Sequence, residues 1–220
     1  MATQKKLDER ERAFRIELQK RVLGLNPRTK EESGGFDLSQ YAQSKGDEIS
    51  NLIYDENLEK ARELLREELS KYPDELLFLN LQMTLDMIDK PFGSYEDARK
   101  IGYKLFELAV EKNNEYFTWV AINNIGIIVR IEGDEETAKL MFLTAHFINR
   151  QSLAPMQNLA NWFSRKGLLE EAQSWIERIL KEYPEWKKKE ELITYFKFEE
   201  ALNNLRSFEP FKEMVMSELN

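Results

Sequence analysis

The chain contains no cysteine. That absence excludes a disulfide framework, a thiol nucleophile and a cysteine-ligated metal. Histidine occurs once, at His146 beside Ala145. It reads as a packed or solvated helix residue, not a catalytic base. No GxxxxGK phosphate loop and no HExxH zinc motif occur. Carboxylates are plentiful, but no pair singles itself out as acid and base. The expectation is therefore a non-enzymatic protein with no cofactor and no metal.

Long apolar runs are also missing. Segments 76–79 and 125–131, the latter broken by Gly126 and Arg130, fall far short of a membrane span. No apolar stretch follows Lys5 and Lys6, so no secretory signal and no membrane insertion are expected, and a cytoplasmic location is the default. There is no basic excess. A net charge of −8 and a pI near 5.0 disfavour a nucleic-acid footprint. Glycine and proline are few in 220 residues, and strand-like alternation is absent, which leaves an all-α chain.

The dominant feature that is present lies within 119–186, where a 34-residue pattern occurs twice. Ile122, Ile125, Gly126, Val129, Gly133, Glu136, Ala138, Phe142 and Ala145 each precede by 34 residues Met156, Leu159, Ala160, Phe163, Gly167, Glu170, Ala172, Ile176 and Ile179. Such self-similarity signals a helical repeat array. A Glu-x-Ala marker extends it, at Glu59/Ala61, Glu96/Ala98, Glu136/Ala138 and Glu170/Ala172, spaced 37, 40 and 34 residues apart. Gly93, Gly133 and Gly167 each precede their alanine by five; the first unit has Glu56 there. The glycine permits a turn between antiparallel helices. The glutamate suits a helical first turn, and the small alanine permits close helix crossing. The longer spacings fit insertions near Asp89 to Phe92 and near Asn113-Asn114.

Residues 1–26 read as a charged amphipathic helix whose stripe is Leu7, Phe14, Leu18, Val22 and Leu25. Through Glu32 it carries nine cations and six anions, leaving −11 for the remainder. Residues 27–39, with Gly34-Gly35, read as a flexible linker. Residues 40–186 form the array, and 187–220 a degenerate capping pair. In that pair, one helix runs over 186–204 and a second is capped by Ser207, with Pro210 in its first turn.

The motif formed by Ile125-Gly126, Ala138, Phe142 and Ala145, and again by Leu159-Ala160, Phe163, Ala172, Ile176 and Pro184, resembles the tetratricopeptide repeat family. The resemblance covers roughly 38–186. Gly102 departs from it, standing where a large residue is usual. It implies a right-handed superhelix of antiparallel helix hairpins, about four units plus the cap, that binds another protein or a peptide segment as adaptor or chaperone. It also implies that the first helix of each hairpin lines a concave groove. On that phase the candidate peptide-binding residues are Asn123, Asn124, Ile127, Arg130, Gln157, Asn158, Asn161 and Arg165. An asparagine amide can clamp both N–H and C=O of an extended peptide, and an arginine can pair with a ligand carboxylate. Alternatively, the asparagines tie neighbouring helices and the arginines form exposed ion pairs. In these two units the lysines that the family's chaperone-binding members use as a carboxylate clamp are absent, since Asn123 and Gln157 stand at the fifth positions; a clamp shifted to the first two units is the alternative. Other readings are a homo-oligomeric scaffold joined through the N-terminal helix or the cap, a peptide-sensing regulator, and a secretion chaperone.

Overall fold

The computed structural model describes residues 40–89 and 93–219. The expected N-terminal helix, the linker and residues 90–92 of the first insertion lie outside the described residues. Among those described there is no strand, and helices pack in neighbouring pairs. They are α1 (Gln40–Tyr54), α2 (Leu58–Lys71), α3 (Leu76–Ile88), α4 (Tyr95–Glu111), α5 (Glu115–Ile131), α6 (Glu135–Ile148), α7 (Leu153–Arg165), α8 (Leu169–Glu182), α9 (Glu190–Phe198), α10 (Asn203–Arg206) and α11 (Glu209–Met214). The chain divides into two compact units at Ile128/Val129, within α5.

In the first unit α1, α2 and α3 pack mutually, and α4 pairs with α3. Helix α3 is mostly apolar, and every residue except Leu77 and Gln82 is buried, Asn80, Thr84 and Asp86 included. A helix of that kind has to be enclosed by its neighbours. Gly102 of α4 explains its departure from the repeat pattern. A Cβ there would stand 2.8 Å from Ile125 Cγ1 and 2.9 Å from Met83 Sδ, so α4 approaches α3 and α5 too closely for a side chain.

The second unit pairs α6 with α7 and α7 with α8, and its C-terminal pieces fold back on α7 and α8. Its core joins Met156, Ala160, Ala172, Ile176 and Ile179 to Trp186, Leu192, Phe196, Phe211 and Val215. The marker alanines Ala61, Ala98, Ala138 and Ala172 are all fully buried, as close crossing requires.

The turns explain why the helices are so closely strung. Four helices end alike. The N–H of Asn57, Asn114, Asp134 and Leu168 reaches five residues back, to Leu52, Ala109, Val129 and Phe163 carbonyls at 2.8–3.1 Å. The preceding residues, Glu56, Asn113, Gly133 and Gly167, bond three back and have φ of 60°, 51°, 100° and 74°. This is the Schellman closure, with its left-handed residue just past the helix end. The residue after it opens the next helix: Asp134 accepts from Thr137 N at 3.0 Å and Asn114 from Phe117 N at 3.1 Å. Gly133 and Gly167 therefore act as the spacing predicts, and Glu56 holds the same left-handed conformation without being glycine. Gly93 differs. Its place is set by proximity, because an added Cβ would lie 2.5 Å from the Asp86 carbonyl oxygen.

The C-terminal region departs from the expected two helices. The first, expected over 186–204, is interrupted at extended Lys189 and Glu199, at φ −102°, ψ 101° and φ −62°, ψ 115°, and becomes a 3-10 turn (Trp186–Lys188), α9, a second 3-10 turn (Glu200–Leu202) and α10. The freed carbonyls of Phe196 and Glu199 accept from the Arg206 guanidinium at 2.8 and 2.6 Å, which makes the break affordable. The last helix starts after Phe208 rather than Ser207, with Pro210 in its first turn; Ser207 instead donates back to the Asn204 carbonyl.

Candidate functional site

The candidate residues divide between the units. Asn123, Asn124 and Ile127 belong to the first; Arg130, Gln157, Asn158, Asn161 and Arg165 belong to the second. All but the two arginines are buried; Arg130 is half-buried and Arg165 exposed.

In the first unit the amides form a chain. Asn123 Nδ2 donates to Asn124 Oδ1 at 3.2 Å, and Asn124 Nδ2 donates to Asn80 Oδ1 of α3 at 3.3 Å. Thr84 closes the polar strip by donating to the Asn80 carbonyl at 2.9 Å. Asn124 thus ties α5 to α3. Losing one buried partner in such a chain costs about 1–3 kcal/mol. Asn80 was missed by the repeat phase. Its signal was plain, however: it is the one amide within the run Leu76-Leu77-Phe78-Leu79-Asn80-Leu81.

In the second unit Gln157, Asn161 and Ser164 follow at i, i+4 and i+7, so α7 presents them on one face. The Tyr195 hydroxyl of α9 donates to Asn161 Oδ1 at 3.0 Å, with the Gln157 carbonyl 3.3 Å away. Gln157 Nε2 and Ser164 Oγ are buried and bond to nothing. Buried polar groups are almost always paired, so two such atoms on one face of α7 set that face apart from the rest of the helix. Tyr195 was also missed, because it lies outside the repeat array, one 34-residue period after Asn161.

The aromatic residues mostly build the interior. Trp119, Phe142 and Trp162 are buried, while Phe163 and Trp175 are half-buried. Trp162 Nε1 donates to the Glu135 carbonyl at 2.9 Å. Met83, Met87 and Met156 are core residues.

His146 is buried between α6 and α8. Its ring stands edge-on to Trp175 at 5.0 Å, and Nε2 lies 3.3 Å from Arg178 Nη1. A guanidinium only donates, so Nε2 accepts and the ring proton sits on Nδ1, which is buried without a partner. Burial first, then Arg178 and Arg150, hold its pKa below the ordinary imidazole value, while Glu182 acts in the opposite direction. The unfolded imidazole protonates near pH ~6.5 and the folded one at lower pH. The stability tied to neutral His146 is therefore complete above that value and is lost as pH falls through the folded pKa. Urea midpoints measured from about pH 7.5 to 5 should fall more steeply for the wild type than for His146→Gln. Parallel slopes would show that His146 is uncoupled from folding.

Among the described residues no cluster of three or more histidine or acidic side chains could hold a metal ion, and no helix is long and apolar enough to cross a membrane. No protein-family model matches the chain, and no curated protein matches it.

Proposed function

We propose that this protein is a non-enzymatic protein-binding module, a right-handed array of helix hairpins of tetratricopeptide type, acting in the cytoplasm as an adaptor or chaperone for a peptide segment of a partner. The recurrent Schellman turns and the buried alanine of each second helix support the architectural reading. The observation that carries the functional one is the pair of orphaned polar groups on α7, Gln157 Nε2 and Ser164 Oγ. A peptide backbone lying along that face would accept from the first and exchange a hydrogen bond with the second. Asn158 and Asn161 would flank it, and exposed Arg165 would meet a ligand carboxylate. Asn123, Asn124 and Ile127 would then serve as internal ties of the neighbouring hairpins. Because the α7 face is buried, capture needs a rearrangement, and association should be slower than diffusional docking.

Gln157→Met together with Ser164→Ala separates this reading from a structural one. Neither change strands a partner, so stability should hold or rise by about 1 kcal/mol, a trade-off expected of residues kept for binding. Peptides enriched from a random phage-displayed library by the wild type should not bind the double variant. Equal binding by both, or no enrichment at all, would remove α7 as the site.

A further inference from the structure

The exposed face of α6 carries a second surface, independent of the α7 amides. Leu140, Leu143 and Phe147 recur at i, i+3 and i+7. Leu140 is 63% and Phe147 72% exposed, with Leu143 half-buried between them. The equivalent positions on α8, one repeat later, are Ser174, Glu177 and Lys181, so the apolar stripe is particular to α6. Its span from Leu140 to Phe147 is about 10.5 Å, two helical turns.

Three cations line one flank of this stripe. Lys139 precedes Leu143 by one turn, and Arg150 follows Phe147 by three residues. Arg178 reaches the same flank from α8, where its contact with His146 places it. Each lies over an aromatic ring: Lys139 over Trp162 at 4.5 Å, Arg150 over Phe147 at 5.7 Å and Arg178 over Trp175 at 4.9 Å. None of the three forms an ion pair among the described residues. In a chain of net charge −8 with 40 acidic residues, three neighbouring cations outside any ion pair stand against the overall charge, and Glu182 of α8 is the carboxylate that acts on the same His146 ring as Arg178 and Arg150. Glu136, one turn before Leu140, is the acidic residue at the opposite end of the stripe.

We propose that this face of α6 docks an acidic amphipathic helix from another protein. An apolar stripe at helical spacing fits the i, i+3, i+7 anchors of a partner helix. The unpaired cations, already held in place over their rings, select carboxylates on one flank of that helix and repel a basic one. The partner's acidic flank lies toward Arg150, away from Glu136. An anionic lipid surface meets the same cations but is opposed by the chain's net negative charge.

The test uses the full chain and a fluorescein-labelled synthetic peptide helix with leucines at i, i+3 and i+7 and glutamates along one flank. A twin carrying lysines for the glutamates and a scrambled peptide serve as controls. Anisotropy should show binding of the acidic peptide alone. Leu140→Ser with Phe147→Ser should weaken it by about 10-fold or more; both side chains are exposed, so the melting temperature should hold. Lys139→Glu with Arg150→Glu should lose the acidic peptide and gain the lysine twin. The Gln157→Met, Ser164→Ala protein should bind as the wild type does, which keeps this surface distinct from the α7 site. Equal binding of acidic and scrambled peptides, or full binding by the Leu140→Ser, Phe147→Ser protein, would overturn the proposal. So would a concentration-dependent dimer abolished by Phe147→Ser, which assigns the face to a second copy. Co-sedimentation with phosphatidylserine vesicles that requires the same residues would assign it to a membrane.

Discussion

Phe196→Ala is expected to destabilise the second unit by about 4 kcal/mol. The side chain is fully buried at the meeting point of three other rings. Trp186 stands edge-on at 5.3 Å, Tyr195 is tilted at 5.3 Å and Phe211 lies at 6.2 Å. Removing the ring forfeits its burial, leaves a cavity that three rigid neighbours cannot refill, and deletes edge-to-face contacts worth about 0.5–1.5 kcal/mol. The effect should reach the candidate site, since Tyr195, next in the chain, holds Asn161. Hydrogen exchange should show lost protection in α9 and α11 first, with α7 following. A loss below about 1 kcal/mol would mean that the C-terminal pieces add little to the unit.

Arg62→Ala should cost about 2–4 kcal/mol, at or below the range for stranding a fully buried charge, because Arg62 keeps some solvent contact. The guanidinium donates to Asp86 Oδ1 at 2.9 Å and, through Nε and Nη2, to Asp89 Oδ2 at 3.2 Å. Both carboxylates are nearly inaccessible. They sit in the last turn and at the C-cap of α3, where the helix dipole already disfavours negative charge. Gln82 donates to Asp86 at 2.8 Å but brings no charge. Arg62 therefore both neutralises this helix end and pins α2 to it. Asp86→Asn with Asp89→Asn in the Arg62→Ala background should recover much of the loss, a coupling that a double-mutant cycle measures. Additive effects would show that the guanidinium acts by packing alone.

Legibility along the chain followed the range of the forces involved. Ala61, Ala98, Ala138 and Ala172 announced close crossings, and Gly133 and Gly167 announced left-handed turns, because those needs are local and recur with the period. Glu56 hid the same turn, since its φ is imposed by the helices on either side. The break at Glu199 was likewise invisible, because Arg206 compensates it from seven residues away. At the candidate site the repeat phase picked out Asn123, Asn124, Gln157 and Asn161. It did not reveal their partners Asn80 and Tyr195, which lie 44 and 34 residues from Asn124 and Asn161.

By itself the sequence determined the helical class, the left-handed turns at Gly133 and Gly167, and the exclusion of cysteine chemistry. Those follow from composition, periodicity and backbone preference, which act within a few residues. The tertiary structure alone decided that Asn124 joins two helices, that Gln157 and Ser164 are left with unused hydrogen-bonding capacity, and that Leu140 and Phe147 face solvent beside unpaired cations. Burial and pairing depend on which distant side chain arrives at the same point, and the identity of that side chain is not set by the repeat period.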